Sequence, residues 1–206
     1  MKTKDFLKKH SACKDGAKWA LSISKDMGDV WEAMIAEEKH TWLIWTLSRA
    51  GVFPDSVLRK LACRFIRETP LLDGMTVWAL LEDNRSRKAV EVAERFADGK
   101  ATNEELKATS DATFAAVYDA CAADATAYSA AYAARAARAA RAAAYNASHA
   151  AYVAAYAARA AYHAAYVYAA TRDADTAARV AYAHAKAAQI KMIAELGNPF
   201  KERAKQ

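Results

Sequence analysis

The sequence predicts an all-α protein: a helical bundle of short N-terminal helices packed with a long, alanine-rich, folded-back helical C-terminal half. Three observations carry this. From Phe114 to Leu196 alanine is the background residue, with Tyr, Arg and His mostly three or four positions apart, and alanine has the highest helix propensity of any residue. No Gly or Pro occurs between Gly99 and Gly197, so nothing in that half breaks a helix outright. The first hundred residues, by contrast, are punctuated by caps, Gly and Pro at intervals suited to short helices. One unbroken helix over the alanine-rich half would exceed about 120 Å, which a chain of this size buries only by dimerising. A fold-back is the expected solution, and an oligomeric helical spacer is the alternative.

Taken in order, Asp5 to His10 suits a short first helix, and Gly16 precedes a second amphipathic run with Trp19, Leu21 and Ile23. At Gly28-Asp29, Asp29 and Glu32 form a D-x-x-E capping box. A helix then follows from Val30, with Trp31, Met34, Ile35, Trp42 and Trp45 near helical spacing and Gly51 as its stop. Three tryptophans there serve as core anchors. Pro54-Asp55 opens the next helix, whose Leu58, Leu61, Ala62 and Phe65 share one face, and Thr69-Pro70 closes it. Asp73-Gly74 marks a turn, and Thr76 caps a short helix with Trp78 and Leu81. Asp83-Asn84 starts another helix, with Ala89, Val92, Ala93 and Phe96 buried and Gly99 beyond its end. Thr102 with Glu105 is a further capping box that launches the alanine-rich half.

Within that half, Asn146-Ala147-Ser148 and the polar cluster Thr171 to Thr176 are the expected turns, because Asn, Ser and Asp side chains compete for backbone hydrogen bonds. Three helices result, at 103–145, 149–170 and 174–196, the last ending at Gly197-Asn198-Pro199. The organisation is then 1–100 of short helices, 101–197 of alanine-rich helix and a frayed basic tail at 198–206, together one compact domain.

The chain of 206 residues is 54% hydrophobic, yet its mean hydropathy is only -0.19, because alanine supplies the apolar count. Close helix approach and large Tyr, Trp and Phe anchors must therefore hold the core. A net charge of +6 favours an acidic partner or a polyanion but falls well short of a dedicated nucleic-acid protein. Cys13, Cys63 and Cys121 are odd in number, with no CxxC, which suits reduced thiols and a cytoplasmic setting. Arg135, Arg138, Arg141, Arg159 and Arg172 interrupt every apolar window of membrane-spanning length.

The alanine-rich half carries the candidate binding surface. At about 100° per residue, Tyr145, Tyr152, Tyr156, Arg159, His163 and Tyr166 fall within about 40° of Tyr152, and His149 lies about 60° away. Phenol, imidazole and guanidinium on an alanine background offer stacking, hydrogen bonds and a fixed charge to an anion, a base or an acidic protein. The competing reading wedges these tyrosines between alanine-lined helices as core. Arg135, Arg138 and Arg141 make a slanting basic ridge, either a solvated face or a steering element for an acidic partner. Arg85 and Arg87, beside a helix N-terminus, form a second spot for an anion, or pair locally.

Catalytic and metal motifs do not emerge: there is no HExxH, phosphate loop, GxSxG or Glu-x-x-His, and no cofactor is expected. The stretch from Leu81 through Asp83, Arg85, Arg87, Ala89 and Val90 to Phe96 and Gly99 carries a D-x-R-x-x-x-A-[IV] element, followed by a capped helix and tandem Ala-Ala-Tyr and Ala-Ala-Arg units. With Cys13-Lys14-Asp15-Gly16, Trp19, Trp42 to Trp45 and Arg49, it resembles a group of uncharacterised bacterial and bacteriophage proteins. More loosely, it is similar to immunity proteins encoded beside polymorphic toxins. The resemblance implies a helical, non-enzymatic inhibitor from a genetic-conflict setting, binding a toxin or defence component. From the residues alone, sequestration of a nucleotide-like anion is the alternative.

Overall fold

Caps and breakers in the first hundred residues produce a succession of short helices in the computed structural model: α1 Thr3–Lys9, α2 Lys14–Ile23, α3 Met27–Ala36, α4 His40–Leu47, α5 Asp55–Glu68 and α6 Asn84–Ala97. The alanine-rich half forms α7 Asn103–Ala108, α8 Ser110–Ala122, α9 Tyr128–Tyr145, α10 Ala150–Tyr168 and α11 Ala174–Ala194, and α12 Pro199–Glu202 follows. The structure describes residues 1–49, 51–122, 128–145, 149–168 and 173–202, without the side chains of Tyr118, Ala120, Cys121, Ala122, Ala144, Tyr145, Ala151, Val167, Tyr168 and Glu202. Among the described residues no strand forms and no helix is long and apolar enough to cross a membrane.

Several elements follow their signals closely. Asp83 caps α6 by accepting from the Arg85 amide at 2.7 Å, and Thr102 and Glu105 complete a reciprocal capping box on α7. Pro54 immediately precedes α5, and Gly99 and Gly197 take φ of 71° and 81°, the left-handed conformation that glycine ends helices with.

Others depart from expectation. α2 begins at Lys14, before Gly16, with Cys13 Sγ accepting from the Gly16 amide. α3 is capped by Asp26, which accepts from the Gly28 amide at 2.7 Å, and not by Asp29. Asp29 instead accepts from Ser24 Oγ, and Glu32 accepts from Lys201 and Asn198. The expected tryptophan helix is two helices, because Glu38 adopts a φ of 52° and turns the chain between α3 and α4. Val77–Leu80 is a single 3₁₀ turn, and the Thr76 side chain makes no capping bond to it. The segment 103–145 is not one helix: Thr109 ends α7, and α8 packs against α9 as a separate rod. The basic tail is held at its start, since Phe200 is buried against Phe6 and Trp31 and Lys201 pairs with Glu32 at 2.7 Å. The expected turns 146–148 and 171–172 lie outside the described residues.

α9 and α10 form the centre. They pack on each other, α5 and α6 cover one or both of them, and α11 lies against α10. Their contact faces are alanine: Ala133, Ala136, Ala137, Ala140 and Ala143 on α9 and Ala154, Ala157, Ala160 and Ala161 on α10 are buried. Such small side chains let helix axes approach closely, and Phe6, Trp31, Phe65 and Leu61 of the N-terminal helices supply bulk in the same continuous core. A buried polar junction crosses that core, with Gln189 of α11 bonded to His40, Thr69 and the Ala154 carbonyl.

Candidate anion-binding groove

The slanting row of arginines on α9 does not run over open surface. Arg135, Arg138 and Arg141 are each half-buried and line a groove of about 690 Å³ between α8, α9 and the start of α10. Ala139 and Ala142 of α9 supply lining with no bulk beyond a methyl, Phe114 and Val117 contribute from α8, and His149, Tyr152 and Tyr156 close the opposite side. The size falls within the range of about 300–1,000 Å³ typical of small-molecule sites.

Local geometry fixes the guanidinium groups. Arg138 stacks on Phe114, its Cζ 3.6 Å from the ring centroid, a contact that orients a planar cation while leaving its edge donors for an acceptor. Arg135 lies 5.1 Å from the Tyr132 ring. His149 and Tyr152 have ring centroids 5.7 Å apart, and Tyr152 remains 57% exposed, so its ring face is open to a stacking partner. No Asp or Glu is among the described lining residues. Among the described lining residues the groove thus gathers three guanidinium groups, phenols and an imidazole.

The aromatic face expected on α10 divides along its length. His149, Tyr152 and Tyr156 join the arginines, whereas Arg159, His163 and Tyr166 do not. Similar angles around a helix do not make neighbours, because His149 and Tyr166 are separated by about 25 Å of axial rise. His163 instead stacks on Tyr132, centroids 4.9 Å apart and planes within 5°, and on Tyr128 at 5.5 Å. Partial burial and then the nearby Arg159 charge hold the His163 pKa below its ordinary value, so this ring is neutral near pH 7. Arg159 is exposed and lies 5.7 Å from Tyr132, and Tyr166 stacks on Tyr162. The Tyr145 side chain lies outside the described residues.

The spot at Arg85 and Arg87 is occupied from within. Arg85 Nη2 donates to Asp83 and Asp119, at 2.5 Å to each, and Arg87 donates to the Leu81 carbonyl and lies 5.7 Å from the Trp78 ring. An incoming anion there would compete with two carboxylates, so local pairing is the better description. Burial pushes the Cys63 thiol up to about 12, leaving it protonated and a poor nucleophile. No group of three or more His, Cys, Asp and Glu among the described residues is arranged to hold a metal ion.

Phe114 and Val117 are lining residues that the sequence does not single out: on one continuous helix Phe114 and Arg138 would lie about 36 Å apart, and the packing of α8 against α9 brings them together. Comparison with protein-family models, curated proteins and solved structures gives no match.

Proposed function

We propose that this is a non-enzymatic binding protein that sequesters a small aromatic anion of nucleotide type in the groove between α8, α9 and α10. The observation that supports it is the convergence of Arg135, Arg138 and Arg141 with His149, Tyr152 and Tyr156 around one concavity. Guanidinium groups recognise phosphate oxygens bidentately, and the tyrosine faces offer a stacking surface to a base. Calorimetric titration with AMP and ATP tests this. We expect saturable binding that weakens with added salt, and a loss of about 10- to 100-fold in affinity for Arg138→Gln, the cost of one charge-assisted hydrogen-bonding group. Adenosine, which lacks phosphate, should bind far more weakly. Nucleotide affinity that is absent, or indifferent to Arg138→Gln and to salt, would rule the reading out.

A second reading is an immunity-like or anti-defence inhibitor, bacteriophage-encoded, acting on an acidic toxin or defence component in the cytoplasm. Its support is the exposure of Tyr128, Tyr152 and Tyr166 beside the exposed Arg159, since Tyr and Arg are the residues that interfaces favour. Native mass spectrometry of the gently purified protein separates the two. An adduct of a few hundred daltons supports sequestration, and a captured acidic protein lost on mutation of Tyr152 and Arg159 supports the inhibitor.

A further inference from the structure

We infer that the partly open pocket between α1, α2, α3 and α4 is a second binding site, one that takes a neutral apolar molecule about the size of a single aromatic ring. The cavity has a volume of about 170 Å³. Leu7, Val30, Met34, Trp19, Trp42 and Trp45 line most of it, and no charged side chain does. An apolar cavity of about 150 Å³ in an engineered protein takes up benzene. This pocket has a similar volume and a mostly apolar lining, and it opens to solvent past the exposed Cys13 and Thr41.

Three of the polar groups around it are already engaged. The Trp19 indole N–H donates to Glu37 at 3.2 Å, Thr46 Oγ1 donates to Met34 Sδ at 3.9 Å, and Cys13 Sγ accepts from the Gly16 amide at 3.4 Å. With no charged side chain in the lining, a charged guest would lose hydration without a compensating ion pair. An aromatic guest gains from the indoles: Trp19 and Trp42 have centroids 4.8 Å apart with planes tilted by 46°, which presents faces and edges at different angles. Lys39 lies 5.8 Å from both of these rings and pairs with Glu37 at 3.3 Å, so two charged groups hold the indole pair without lining the cavity. At Gly16 a Cβ would meet Cys13 Sγ at 3.1 Å, a tight contact, and the Trp42 ring at 3.5 Å, an ordinary van der Waals distance.

The cavity shares no lining residue with the arginine groove, so the two sites are independently testable. Toluene is the probe and the full chain the sample. Toluene should change tryptophan fluorescence saturably and raise the unfolding temperature, while benzoate, the same ring with a charge, should act at least about ten-fold more weakly. Ala20→Leu, filling the cavity from α2, should remove the toluene response and leave nucleotide binding intact. A readout that requires no variant is methyl NMR: the Met34 methyl, in the cavity wall, should shift with toluene and the Met192 methyl should not. An unchanged Met34 resonance and unchanged fluorescence up to the solubility limit of toluene would overturn the assignment, as would a response that Arg138→Gln removes.

Discussion

Among single residues, Gln189 and His40 carry the most consequence for stability. Gln189 is fully buried on an alanine-rich helix, and its amide is oriented by donating to Thr69 Oγ1 at 3.3 Å and to the Ala154 carbonyl at 3.0 Å. Its oxygen is then left to accept from His40 Nε2 at 2.7 Å, which assigns a proton to that nitrogen. Burial is the main cause that lowers the His40 pKa to about 4; the Gln189 bond opposes it and the Lys186 charge adds to it. Because the folded-state value lies below the unfolded one, the unfolded chain binds this proton first as pH falls. The contribution is fully present above about pH 6.5 and is lost on descending toward pH 4, in all about 3 kcal/mol. Urea melts across that window should show the decline, and His40→Gln, which keeps a donor, should flatten it. A slope identical in the variant would mean that other groups set the acid limit. None of this is legible in the sequence, because the pairing of His40 with Gln189 spans 149 positions.

Individual helices were legible to the extent that their signals are local. Asp83, Thr102 with Glu105, and Pro54 act within four residues of themselves, and the helices they begin appear where the sequence puts them. The breaks at Glu38 and between α8 and α9 carry no Gly or Pro, and tertiary packing overrides a helical pattern that would otherwise run through. The site followed the same division: the arginine row and the aromatic face were visible separately, but only the fold-back brings them together. What holds α9, α10 and their neighbours is close approach over alanine, which gives an element-scale prediction. Ala157, fully buried on α10, has no room for three more carbons, so Ala157→Leu should cost about 1–3 kcal/mol by overpacking. Ala155, exposed on the same helix, should accept leucine within about 0.5 kcal/mol. Equal effects in denaturant melts would mean that the buried alanines are loosely packed and that the tyrosines hold the bundle instead.

Across the whole molecule, the short-helix half and the alanine-rich half depend on one core. Arg64 of α5 reaches Glu195 at the end of α11, Gln189 of α11 reaches α4, and Asn198 donates to the Gly28 carbonyl of α3 at 2.9 Å. Surface ion pairs such as Arg64 with Glu195 add little by themselves, so the coupling has to come from burial. Phe200 tests it, since it follows α11 yet is only 4% exposed, with its ring 5.4 Å from Phe6 and 6.2 Å from Trp31. Removing that ring leaves a cavity between the first and last elements, and Phe200→Ala should cost about 3–5 kcal/mol. Far-UV circular dichroism reports mostly on the long alanine helices, whereas tryptophan fluorescence reports only on the first half, where all five tryptophans lie. If the core is cooperative, both signals should melt together in the wild-type chain and shift together in the variant. A fluorescence transition that moves while the far-UV transition stays in place would mean that the alanine-rich half folds as a unit of its own, with the N-terminal helices as a separable cover.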